Sequence, residues 1–159
     1  MMKKRAVIIY GPSGVGKSTL SKKISEKLNF RHCTADEFKF IFSDKRSKLR
    51  SSIGEALAYQ YAKILIENKL NIILEAIPDN FLKKLKKILR EKKYKVVEIS
   101  LVASLDECKK RDMLRGGKKY GPRVIKEVYN DLSFKRGKVV NVEDKKTQLV
   151  FREIKQYLK

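Results

Sequence analysis

Gly11-Pro12-Ser13-Gly14-Val15-Gly16-Lys17-Ser18-Thr19 fits the spacing G-x-x-x-x-G-K-[ST], which is suited to holding phosphate. Its glycines let the backbone wrap N–H groups around an anion in conformations that side chains forbid. The N–H groups opening the next helix point at the same anion, and the helix dipole favours its charge. Lys17 adds a mobile positive charge for the outer phosphates, while Ser18, with Thr19 beside it, offers a hydroxyl to Mg²⁺. Ser13, Gly14 and Val15 complete the cradle. The ligand implied is a nucleotide such as ATP, carried with Mg²⁺.

Such a loop serves kinases, GTPases, motors and switches alike. No Asn-Lys-x-Asp segment for reading guanine occurs, since Asn141-Val-Glu-Asp144 is not one, and 159 residues are few for an oligomeric ATPase. A kinase needs three further parts: a carboxylate for the acceptor hydroxyl, cations for the transferring phosphoryl, and a lid against water. Asp36, beside Glu37, is the candidate base, with a helix N-cap as its ordinary alternative. Glu75 competes as base or as an outer partner of Mg²⁺, its alternative being a solvated strand end. Arg111 and Arg115, four residues apart, share a helix face that leads into Gly116-Gly117. From there guanidinium groups could cover adenine and bridge the β- and γ-phosphates. Otherwise they are surface arginines.

These residues need elements to position them. Arg5–Tyr10 reads as a strand and Lys17–Leu28 as a helix, with Leu20, Ile24 and Leu28 on one face. Further strands are expected at 30–34, 71–75, 95–102 and 138–142. Helices are expected from a Ser52/Glu55 capping box to about Asn68, from Pro78/Asp79 to about Lys93, from a Ser104/Glu107 box through Arg115, from 123 to 132, and from 148 to 158. The alternation predicts an α/β fold: a P-loop NTPase-type three-layer sandwich, with about five parallel strands, helices on both faces and a short lid around 112–124. One domain, 1–159, is expected. In such sheets ligands sit beyond the carboxyl ends of the strands, where the loop, Asp36 and Glu75 all fall.

Composition narrows the partners. Lys and Arg number 39 against 18 acids, a net charge of +21 that attracts polyanions, RNA in particular. Thermophile surfaces enrich Lys, but with Glu, and here the acids do not keep pace. No apolar run is long enough to cross a membrane, and the basic start is not followed by a secretory segment, so cytoplasmic is the default expectation. Cys33 and Cys108 lack metal-ligand spacing and point to a reducing compartment, and His32 reads as structural.

The order of parts resembles the small P-loop kinases: Gly11–Thr19, Asp36-Glu-x-Lys39, a long helix into Ile72-Ile-Leu-Glu75, and Arg111-x-x-x-Arg115. Within that superfamily it is most similar to the group of polynucleotide 5′-hydroxyl kinases, zeta-toxin-like kinases and seryl-tRNA kinases. The resemblance implies that Asp36 is the acceptor-side base, that Lys39 replaces an Arg contacting the acceptor, that Arg111 and Arg115 are lid arginines, and that Val139–Glu143 flanks adenine. The Asp common near Glu75-Ala-Ile-Pro78 is absent. It also implies preference for ATP. The acceptor expected is a hydroxyl of nucleic acid, because Lys83, Lys84, Lys86, Lys87, Arg90, Lys92 and Lys93 form one basic helix face. Lys118, Lys119 and Arg123 add charge at the lid, with Tyr120, Tyr59 and Tyr61 as candidate stackers. A small-molecule acceptor, or an ATP-binding module without transfer, are the alternatives.

Overall fold

Five strands, β1 (Arg5–Tyr10), β2 (Arg31–Thr34), β3 (Ile72–Glu75), β4 (Lys95–Val102) and β5 (Lys138–Asn141), form a parallel sheet in the order β2-β3-β1-β4-β5. They are seen in a computed structural model that describes residues 4–117, 119–131 and 135–158. Ala6 to Ile9 are all buried, as an uninterrupted apolar run in a parallel sheet must be. The helices are α1 (Lys17–Leu28), α2 (Ala35–Phe42), α3 (Lys48–Glu67), α4 (Asp79–Glu91), α5 (Leu105–Met113), α6 (Pro122–Asp131) and α7 (Thr147–Lys155), the last running on into a 3₁₀ turn at Gln156–Leu158. The α/β P-loop fold expected from the alternation is the fold observed. Among the described residues no helix is long and apolar enough to cross a membrane.

The backbone divides into two compact units. The first runs to Ile8 and takes in Ser25–Val97; the second comprises Ile9–Ile24 and the chain from Glu98 onward. In the first unit β2 and β3 pair from Arg31 against Ile72 to Thr34 against Glu75. Helix α3 packs on α2, α4, β2 and β3. After the buried Arg50 of its first turn, its buried positions Gly54, Ala58, Ala62, Leu65 and Ile66 run from small residues to large ones. Leu82, Leu85 and Leu89 bury one face of α4. Tyr59 stacks on Phe81 with ring centroids 5.0 Å apart, and Tyr61 meets Phe38 at 5.5 Å, so both tyrosines pack against their own unit.

The start of α3 differs from the expectation. Ser47 caps it, its Oγ accepting from Arg50 N at 3.0 Å, and Ser52 lies inside the helix. Lys48, Leu49 and Arg50 are good helix formers that extend it backwards. Glu55, expected to complete a box with Ser52, turns instead to Lys39 Nζ at 3.1 Å.

In the second unit β4 and β5 pair from Ile99 against Lys138 to Val102 against Asn141. Ser104 caps α5 as expected, accepting from Glu107 N at 3.1 Å. The other half of the box is replaced: Ser104 N donates to Glu143 Oε2 at 2.6 Å, and Glu107 serves Arg111. Helix α6 ends at Asp131, so Leu132, its expected end, falls outside the described residues, as does Lys118.

Candidate phosphate site and its flanks

The 11–16 loop leaves β1 and enters α1 with Gly11, Gly14 and Gly16 at φ +143°, +82° and +101°. Gly14, the one of the three that the motif does not require, is explained by packing. A Cβ there would run into the Cys108 carbonyl oxygen and stand 3.1 Å from its carbon. Helix α5 therefore lies directly against the loop. Lys17 opens α1, and its Nζ donates to the carbonyls of Gly11 and Pro12, each at 2.9 Å. The ammonium is thus folded back over the loop whose N–H groups would grip an anion. Val15 is buried, whereas Ser13, Ser18 and Thr19 keep partial or full exposure.

Arg111 ties this loop to two other segments. Its Nε donates to Glu107 Oε1 at 2.6 Å and its Nη1 to the Val15 carbonyl at 3.2 Å. Nη2 donates to the carbonyls of Val142 at 2.6 Å and Lys145 at 3.2 Å. Four of the five guanidinium N–H groups are so engaged. The remaining one is on Nη1, the nearest heavy atom, at 3.5 Å, to where a Cβ of Gly16 would stand. Arg111, expected as a lid arginine, thus hydrogen-bonds both the phosphate loop and the segment after β5. Arg115 is exposed, with Cζ 5.4 Å from the Tyr120 ring centroid and no carboxylate within ion-pair distance among the described residues. Arg123 pairs with Glu127 at 3.1 Å.

Two contacts here escaped the sequence reading, although Glu143 ends the 139–143 segment expected to flank adenine. Asp112 is 3% exposed, and its two carboxylate oxygens accept from Tyr120 N at 3.0 Å and Gly121 N at 2.9 Å. It holds Tyr120 and Gly121 to the end of α5. Glu143 accepts from Ser104 Oγ at 2.7 Å and from Ser104 N, and the hydroxyl bond, then the backbone bond, hold its carboxyl below the ordinary value. Only the Ser104/Glu107 pair signalled any of this in sequence. Cys108, buried against the loop, is no nucleophile: burial pushes its thiol up to about 11.

Asp36, Lys39 and Glu75 belong to the first unit. Thr34, buried at the end of β2, caps α2 through Asp36 N, so Asp36 sits in the first turn and is not the cap itself. Its carboxylate is partly exposed, with Lys39 Nζ 3.7 Å from Oδ1. Lys39 is shared between Asp36 and Glu55. Glu75 is no solvated strand end. It is 2% exposed, and its Oε2 lies 2.8 Å from His32 Nε2. On the other side of that ring, Glu37 Oε1 is 3.9 Å from Nδ1. Asp36 and Glu37 both keep exposed carboxylates at the start of α2, whereas Glu75 is a buried partner of His32.

Among the described residues no group of three or more His, Cys, Asp or Glu could hold a metal. Mg²⁺ does not require one, since it keeps several waters and binds through a protein oxygen or two plus substrate phosphates. The Ser18 hydroxyl at the start of α1 fits that role for a cation that arrives with a nucleotide.

The NACHT domain family matches residues 5–114, and the chain belongs to this family of P-loop NTPases. No curated protein matches the sequence. Among solved structures, a candidate kinase from Chloroflexus aurantiacus J-10-fl is similar with a TM-score of 0.73 and 19% identity, over 99% of this chain and 97% of that one. The Mycobacterium tuberculosis APS kinase CysC, in complex with AMPPNP and APS, gives 0.65 and 15% over 99% of both chains. The Pnkp1/Rnl/Hen1 RNA repair complex gives 0.68 and 20%, over 83% of this chain and 45% of that one. The fold is that of the small P-loop kinases.

Proposed function

We propose that the protein is an ATP- and Mg²⁺-dependent kinase that transfers the γ-phosphoryl group to a hydroxyl of a nucleic acid, RNA in particular. The observation that carries the choice of acceptor is α4 and its end. Lys83, Lys84, Lys87, Arg90, Lys92 and Lys93 are exposed there, and none has a carboxylate within ion-pair distance among the described residues. A merely soluble helix would mix its charges. A row of uncompensated cations opposite a leucine face suits a phosphate backbone.

In this reading the loop amides and Lys17 hold the β- and γ-phosphates, and Ser18 holds Mg²⁺, which screens the charge on the transferring group. Arg111 keeps the loop and the 142–145 segment in place and has one N–H left for phosphate. Arg115 is the mobile cation for the leaving oxygen. As the acceptor oxygen bonds to the γ-phosphorus, the bond to the β–γ bridging oxygen breaks, ADP departs, and the acceptor's proton passes to Asp36. Lys39, which Glu55 also pairs with, keeps Asp36 oriented.

The second reading is a small-molecule kinase. It is favoured by the APS kinase, which is similar along its full length, whereas the RNA repair match covers part of each chain. The test offers γ-labelled ATP with Mg²⁺ to 5′-hydroxyl RNA, 5′-hydroxyl DNA, tRNA and a metabolite extract, with Asp36→Asn alongside. Label in RNA, lost in the variant and falling steeply with salt, is expected. Label confined to metabolites would overturn the nucleic-acid reading. Bound ATP with no transfer anywhere would make the protein a nucleotide-binding module.

A further inference from the structure

The segment 43–50, between α2 and the first turn of α3, is rich in positive charge. It carries Lys45, Arg46, Lys48 and Arg50 against a single acid, Asp44. The first three are exposed, but Arg50 is only 7% exposed. Its Nη1 donates to the carbonyl oxygen of Asp44 at 3.3 Å, and its Cζ lies 4.6 Å from the centroid of Phe40. Nε is buried with no hydrogen-bond partner. No carboxylate of the described residues is within ion-pair distance of the guanidinium, and Nη2, which makes no bond to them, is the part of the group that reaches solvent. The bond to Asp44 places the group at the N-terminal end of α3, where the helix's own dipole adds positive potential.

A buried guanidinium without a counter-charge is strongly disfavoured, and one carbonyl with one ring face does not replace a counter-ion. An oxyanion would supply what is missing: two acceptors for a fork of N–H groups. The surroundings describe the rest of the ligand. Phe40, in contact with Arg50, is part-exposed, and Ile41 and Phe42 beyond it are exposed apolar residues. Aromatic surface next to an arginine suits a base next to its phosphate.

We propose that Arg50 receives a phosphate group of a nucleotide unit, in a subsite formed by the end of α2 and the start of α3, separate from the phosphate loop. The anion site stands on these observations alone. That the nucleotide belongs to the acceptor strand rests on the kinase reading.

The test follows the Arg50 Nε–Hε resonance of the full-length wild-type protein by NMR, with Mg²⁺ and AMPPNP present to occupy the phosphate loop. A nucleoside 3′-monophosphate, the free nucleoside and inorganic phosphate are titrated in turn. Expected are a saturable shift with the monophosphate, a weaker response to inorganic phosphate, and none with the nucleoside. An equal response to inorganic phosphate would reject the nucleotide part of the proposal, and a silent Arg50 resonance would reject the site. Arg50→Met provides the complement. It is expected to unfold at the same or higher urea concentration than wild type without ligand, and to lose the monophosphate-induced shifts that wild type shows at the Phe40 and Leu49 amides. Unfolding at clearly lower urea would make Arg50 a structural residue and overturn the assignment. AMPPNP binding is read separately at the Gly16 amide, so failure of the nucleotide reading and failure of this site are distinguishable.

Discussion

Arg111 and Val15, 96 residues apart, are joined by a 3.2 Å hydrogen bond from a guanidinium to a phosphate-loop carbonyl. The same side chain reaches Glu107, Val142 and Lys145. Arg111→Met is therefore expected to cost roughly 2–3 kcal/mol, because the buried Glu107 carboxylate loses its bonded partner. Arg111→Lys keeps the charge but not the fork, and should weaken nucleotide binding more than it weakens the fold. Urea denaturation and nucleotide titration check both. Equal losses in the two measurements for Arg111→Lys would sink this expectation.

Asp112 holds Tyr120 and Gly121 through two amide hydrogen bonds to one carboxylate. Asparagine has one carbonyl where Asp has two charged acceptors. Asp112→Asn should cost about 1–2 kcal/mol and speed hydrogen exchange at the Tyr120 and Gly121 amides before the rest of α5. Unchanged exchange at those amides would count against these bonds.

Gly54 lets α2 lie on α3. A Cβ at that position would stand 2.7 Å from Lys39 N and 2.9 Å from its Cα, backbone atoms that cannot turn aside. Gly54→Ala is expected to destabilise by about 1–3 kcal/mol as an overpacked contact. Because α2 carries Asp36 and Lys39, phosphoryl transfer should fall further than nucleotide affinity. A variant as stable as wild type would show that the helices do not press together there.

Glu143 gives the fold a pH signature. Its carboxyl is held below the ordinary 4.5 by the Ser104 hydroxyl, then by the Ser104 amide. A carboxyl depressed in the folded state stabilises above its unfolded value and loses that contribution as pH falls through the lower folded value. The stability gap between wild type and Glu143→Gln should thus be constant at neutral pH and shrink as pH falls below the ordinary carboxyl value and through the lowered folded one. Denaturation midpoints across that range test it. A gap that widens on acidification would contradict the sign.

Local pattern made much of the frame legible. The bounds of β1 and β4 could be read because both are apolar runs ended by turn residues, and the phosphate loop because its glycines answer a backbone need. The start of α3 was not legible. Ser47 and Ser52 are both competent caps, and the choice between them follows from Glu55 being drawn to Lys39 across to α2. Arg111 could be placed on a helix face with Glu107, but not with its three carbonyl partners, which come from chain segments 31 to 96 residues away. Asp112 resembles any surface acid in a charged helix, and its burial is decided by a loop that returns eight residues later. Glu75 reads as a polar strand end, and only the register of β2 against β3, with His32 as its partner, buries it.

The cations of α4 also act on one another. Lys83 and Lys87 are four residues apart, as are Lys86 and Arg90, spacings at which like charges repel along a helix. Dissolved ions quench that repulsion, and they equally quench attraction to a polyanion. Raising the ionic strength should therefore tighten the free protein while loosening its complex. Unfolding temperature and strand affinity would then move in opposite directions along a single salt series.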